Sequence, residues 1–120
     1  MEVKVPTLEI MMAEIVGSCL SSVEFIHDYI QFRFDGPCLT TYNNPSITIG
    51  AQLLEMSDEG YRDGLCSLIG VQVESVNLGI EELVIRFTNA AILAVSFRNE
   101  DYHGPEAMEY SGTSGPRCVI

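Results

Sequence analysis

Shifted by 53 residues, the chain lies over itself. With Gly17 set against Gly70, the correspondence runs without a gap from residue 8 to about residue 42. Identities fall at Gly17/Gly70, Ser22/Ser75, Val23/Val76, Arg33/Arg86 and Phe34/Phe87. Apolar pairs fill the spaces: Leu20/Val73, Phe25/Leu78, Ile30/Leu83 and Phe32/Ile85. A chain that repeats itself must place two similar units around one core. At 120 residues it has room for one domain and not for two separate interiors.

Each unit opens with a helical pattern. Leu8, Met11, Met12, Ile15 and Val16 recur at helical spacing, with Thr7 as the expected N-cap and Gly17 at the left-handed C-terminal position. Tyr61, Leu65, Leu68 and Ile69 repeat the stripe 53 residues on, from a start at Ser57 or Asp58 to a stop at Gly70. Gly64 inside that second helix costs roughly 1 kcal/mol against Ala, so the helix must lean on tertiary packing.

Strands follow each helix. Val23 and Phe25, then Ile30, Phe32 and Phe34, alternate with Glu24, Gln31 and Arg33, with a turn at His27-Asp28. Asp35-Gly36 is a hairpin dipeptide leading to a third strand through Leu39 to Tyr42. In the second unit Val76, Leu78, Leu83, Ile85 and Phe87 repeat the pattern, and a turn at Thr88-Asn89 leads to a strand over 91–97. Both parities of that last strand contain apolar residues, so its buried face is undecided. The fold class is therefore α+β: a single domain, 1–120, of two α-β-β-β units at about 7–43 and 58–97, with antiparallel sheets and two helices. Between the units Ile47 to Ile49 suggests a short extra strand. After them Gly104-Pro105 suggests a helical turn over "PEAMEY", and 111–120 reads as a loose tail.

Composition excludes more than it assigns. Seventeen acids face six bases, a net charge of −11, and Lys4 is the only lysine. Such a surface repels phosphate backbones and anionic lipid, which disfavours nucleic acid and membrane as partners. The same charge suits a basic protein partner, and also simple solubility. The apolar runs are too short to span a bilayer, and the acidic amino terminus lacks the basic flank of a signal peptide, so the expected location is cytoplasmic. Cys19, Cys38, Cys66 and Cys118 have no Cys-x-x-Cys spacing, so no metal and no cofactor is expected from them. The ending "RCVI" misses the prenylation signal by one position, with Arg117 where Cys is needed.

The stretches "DYIQFRFDGP", "YRDGLCSLIG" and "GPEAMEY" are similar to those of a set of uncharacterised bacterial proteins of about this length. Those proteins carry a like Asp-Tyr-hydrophobic-Gln strand and Tyr-Arg-Asp helix opening. The likeness covers most of the chain and carries no assigned activity; it implies a bacterial cytosolic origin. A small acidic α+β domain also resembles toxin-immunity proteins at the level of general form.

The candidate site residues are Arg33, Arg86, Tyr29, Tyr61, Arg62 and His103, all as binding residues; no catalytic residue is nominated. His103, between Asp101 and Glu106, has the composition of a metal ligand or general base, although Gly104-Pro105 and Glu106 also fit the opening of a helix. His27-Asp28 falls in a turn, where neighbouring side chains diverge and an Asp is commonly a turn former. "GTSG" near the end lacks the strand-turn-helix setting of a serine elbow. Arg33 and Arg86 occupy equivalent strand positions, as a shared anion-receiving surface or as local ion-pair partners of acids such as Glu24, Asp28 or Glu82. Tyr29, Tyr42, Tyr61 and Arg62 are residue types favoured as contact anchors. The leading expectation is a non-enzymatic protein-binding module of the immunity or antitoxin kind. The alternatives are a small-ligand binder or enzyme with its site between the units, and a structural homodimer.

Overall fold

Period-two alternation of buried and more exposed side chains is clearest over Tyr29–Arg33, Glu82–Phe87 and Ile92–Ser96. The computed structural model describes residues 5–113 and 117–120. Lys4 and Ser114 of the "GTSG" stretch lie outside them. In chain order the strands are β1 Ser22–Ile26, β2 Tyr29–Arg33, β3 Cys38–Thr41, β4 Ser46–Ile49 and β5 Gln52–Leu54. They are followed by β6 Val73–Leu78, β7 Glu82–Phe87, β8 Ile92–Ser96, β9 Met108–Ser111 and β10 Arg117–Val119. Helix α1 spans Val5–Met12 and continues as a 3-10 turn, Ala13–Ile15; α2 spans Tyr61–Cys66.

All strand pairs are antiparallel, in two five-stranded sheets of order β1-β2-β3-β9-β10 and β5-β4-β8-β7-β6. The order of elements in the first half, helix and then five strands, returns in the second. Each half keeps its first three strands together and lends its last two to the other half's sheet.

Register turns this exchange into a core. Across the first sheet one row runs Val23, Phe32, Leu39, Tyr110, Cys118, one residue per strand. Across the second the row is Val76, Ile85, Leu93, Ile47, Leu54. Phe32, Leu39, Tyr110, Ile85, Leu93 and Ile47 are fully buried, and each such side chain contributes about 1.5–3 kcal/mol by leaving water. The undecided strand is resolved the same way: Ala91, Leu93 and Val95 are buried while Ile92, Ala94 and Ser96 are half-buried.

The sheets meet at a short seam of backbone hydrogen bonds. Cys19 bridges Gln72 antiparallel. Gly17 N–H donates to Val73 O at 2.9 Å, and Gly70 N–H to Leu20 O at 2.7 Å. Gly17 and Gly70 stand at φ +89° and +87°, the left-handed region that glycine enters without a Cβ penalty.

Five expectations need correction. Helix α1 starts at Val5, so Thr7 lies within it and not at its cap. Both helices are shorter than their apolar stripes: α1 tightens into 3-10 geometry and α2 stops at Cys66, which leaves Val16 and Ile69 exposed. The start of α2 is set by Gly60 at φ 86°, whereas the Asp58 carboxylate accepts Glu55 N–H at 2.7 Å in the turn before it. The "PEAMEY" segment is strand from Met108 onward, because Met108 and Tyr110 alternate with Glu109 and pair with β3. Residues 117–119 are likewise strand, with Cys118 buried against Tyr110, so that part of the tail is not loose.

Gly64 has a packing reason. A Cβ there would stand 3.2 Å from Ile49 Cδ1 and 3.3 Å from Leu54 Cδ1, so the missing side chain lets α2 press onto the β4–β5 hairpin.

Candidate functional site

Because each half lends two strands, two crossover segments must pass at the join between sheets. Residues 42–45 carry the chain from β3 to β4, and residues 97–107 from β8 to β9. Asn43, 1% exposed, donates its side-chain Nδ2–H to Ser96 O at 2.7 Å. Tyr42 and Asn43 N–H both donate to Ala107 O, at 2.8 and 2.9 Å. The remaining acceptor of that amide, Asn43 Oδ1, has no partner among the described residues.

Five adjoining clefts open around these crossovers. The largest, about 500 Å³, runs between β4, β7 and β8 and the 3-10 turn Asn99–Asp101, with Met56 and His103 on its wall. A second, about 210 Å³, lies between the His27-Asp28 turn and Met56. Three more, of about 230, 230 and 250 Å³, border α2, the Gly104-Pro105 turn and the end of β1. Met56 lines four of the five, which makes it their common wall.

The charge around them is one-sided. Nine of the chain's 17 acids line these clefts: Asp28, Glu55, Asp58, Glu59, Asp63, Glu82, Glu100, Asp101 and Glu106. Among the described residues the only arginine or lysine beside them is Arg62, whose guanidinium lies 5.8 Å from the Phe25 ring centroid. None of the nine forms an ion pair with an arginine among the described residues.

Four of the six candidate residues line this region. Tyr29 packs edge-on against Tyr42, centroids 5.8 Å apart. Burial first, and then nearby Glu109 and Glu106, raise the Tyr42 phenol above its ordinary value. Tyr61 is a core residue and not a surface anchor: it is 3% exposed and its OH donates to Pro45 O at 2.5 Å. Burial pushes its phenol well above the ordinary range. His103 is exposed, its Nε2 is 3.3 Å from Asn44 Nδ2, and among the described residues no three of His, Cys, Asp and Glu are grouped to hold a metal ion. His27 and Asp28 approach to 3.7 Å but stand almost fully in solvent.

Arg33 and Arg86 are not brought into the clefts. They sit in different sheets, and Arg33 donates to Glu24 Oε1 at 2.6 Å. That hydrogen bond, with Cys38 and Glu24 nearby, raises its pKa. Arg86 makes no ion pair among the described residues. Met56 and the buried Asn43 escaped the sequence reading. The one signal for Met56 is its chemistry, a lone apolar residue in the polar run Glu55-Met-Ser-Asp-Glu59.

Among the described residues no helix is long and apolar enough to cross a membrane. No family model matches the chain, and neither does any curated protein or solved structure.

Proposed function

We propose that the chain is a non-enzymatic binding module that holds a basic protein partner on its acid-lined face, in the manner of a cytoplasmic immunity or antitoxin protein. The observation that carries this reading is the charge of the clefts: among the described residues, nine acids against Arg62. Carboxylates that no arginine pairs with among the described residues keep their field for an incoming cation, which speeds encounter with a basic surface and excludes acidic ones.

The test is a pull-down of tagged protein from its native lysate, washed at low and then high salt, beside a Glu82→Lys/Glu100→Lys/Asp101→Lys variant. The reading expects a stoichiometric basic partner that the wild type loses as salt rises and the variant fails to retain. Equal retention by both proteins refutes it.

One observation favours a second reading. The 500 Å³ cleft falls within the range of small-molecule sites and combines residues of both halves, with His103 at its wall. A small cationic ligand would fit that lining. A thermal-shift screen decides it, since a true ligand raises Tm with concentration and His103→Ala removes the effect.

A further inference from the structure

We propose that the cleft between the end of β1 and α2 is an anchor socket for one large apolar side chain of the basic partner, an inference that rests on the reading above. Its walls are Phe25, Ile26, Ile30, Met56, Tyr61 and Arg62, with His27 at the solvent-facing rim. Ile30 and Tyr61 form a buried floor, 5% and 3% exposed, while Phe25, Ile26 and Met56 stand 39%, 39% and 50% exposed around it. Large apolar side chains held open to water beside one another are the composition of an interface centre, and a scattered surface residue would need no such grouping. On the Phe25 side the Arg62 guanidinium lies over the ring, 5.8 Å from its centroid.

Size and surroundings choose the occupant. At about 250 Å³ the socket is smaller than a typical drug-sized site and suits a single side chain. A second copy of this chain is a poor occupant: a two-fold contact here would set the same carboxylates against each other. Acids line two clefts that share Met56 with the socket, Glu55 and Glu82 in the large one, and Asp58 with Asp63 of α2 in the one that also shares Tyr61 and Arg62. The matching segment therefore carries lysine or arginine on both flanks of an apolar residue. The apolar residue seats between β1 and α2, and the bases meet the flanking acids.

Two synthetic 12-residue peptides serve as probes, each with three lysines on either side of a central position that is Trp in one and Ala in the other. Affinity is read by fluorescence anisotropy at several salt concentrations. Contact is read from backbone amide shifts of the isotope-labelled chain. The Trp peptide is expected to bind about ten-fold more tightly, the effect of one well-seated anchor, with shifts at residues 25, 26, 56 and 62. Met56→Ser and, separately, Ile26→Ser should erase that advantage and leave the Ala peptide's affinity unchanged; circular dichroism confirms that each variant is folded. Equal, salt-dependent binding of the two peptides, or a Trp advantage with no shifts at the socket, overturns the socket and leaves the acidic face standing. Absence of salt-dependent binding by either peptide counts against both.

Discussion

Asn43 donates its side-chain amide to the backbone carbonyl of Ser96 across 2.7 Å, and the two residues stand 53 positions apart. That is the offset that aligns the halves in sequence, and Cys19 and Gln72, which bridge the seam, have it too. Asn43 thus ties the 42–45 crossover to the end of β8 through its side chain and to the 97–107 crossover through its N–H on Ala107 O. Replacing it with Asp would set a buried carboxylate against the Ser96 carbonyl with no proton between them. Asn43→Asp is expected to cost about 3 kcal/mol or more, and Asn43→Ala about 1–3 kcal/mol. Urea unfolding checks both, and equal midpoints for the three proteins would show that the crossover does not depend on this amide.

Much of this architecture was legible because it is local. Alternation in Ile30, Phe32 and Phe34 places β2, and the same parity in Leu83, Ile85 and Phe87 places β7. Gly17 and Gly70 take a backbone angle that other residues avoid, although α2 itself ends earlier, at Cys66. What was not legible depends on partners far away. Met108 and Tyr110 suit a short helix as well as a strand until β3 pairs with them. Tyr61 reads as a surface anchor until Pro45 O is found to accept its proton. The clefts lie between segments whose crossing follows from the exchanged hairpins, and no local pattern encodes that exchange.

Alkaline pH should expose two buried phenols. Burial, the largest cause in each case, raises the pKa of both Tyr61 and Tyr110. Tyr110 OH also donates to Glu14 Oε1 at 2.6 Å, and the adjacent carboxylate raises it further. A group whose folded pKa is raised stabilises the fold fully below its unfolded value, near 10, and loses that contribution as pH rises beyond it. Stability is therefore expected to fall above about pH 10, by roughly 1.4 kcal/mol per pH unit for each phenol. Tyr61→Phe should cost about 1 kcal/mol at pH 7, where Pro45 O loses its donor, and should flatten that fall. Denaturant midpoints from pH 7 to 11 provide the measurement, and parallel curves for the two proteins would contradict the argument.

Ala90 is the place where a smaller residue should help. It sits at φ 72° in the turn between β7 and β8, with its N–H donating to Phe87 O at 3.0 Å. A left-handed conformation costs an L-residue about 1–2 kcal/mol, and glycine escapes this while adding up to about 1 kcal/mol of unfolded-chain entropy. Ala90→Gly is expected to raise stability by about 0.5 kcal/mol. The urea midpoint should rise with an unchanged slope, and a fall would mean that the methyl group packs in a way that outweighs the strain.

The last strand gives the sharpest contrast with the sequence. A loose tail could be removed without loss. In the structure Cys118 is 2% exposed and pairs with Tyr110, and Ile120 exchanges backbone hydrogen bonds with Met108, its N–H donating at 3.0 Å and its carbonyl accepting at 3.2 Å. The Ile120 carbonyl also accepts Ala107 N–H at 2.6 Å, and Ala107 O in turn receives Tyr42 and Asn43. Removing residues 117–120 would uncover Met108 and Tyr110 and unpair the outer side of β9. The expected loss is about 3 kcal/mol or more, from buried apolar surface together with several backbone bonds. Because Ala107 holds the crossover, the loss should reach the candidate site: the amides of Tyr42 and Asn43 should exchange with solvent faster even where the shortened chain stays folded. Hydrogen exchange on the full-length and shortened proteins measures this residue by residue. Unchanged protection at 42 and 43 would show that the tail braces its own edge of the sheet and nothing beyond it.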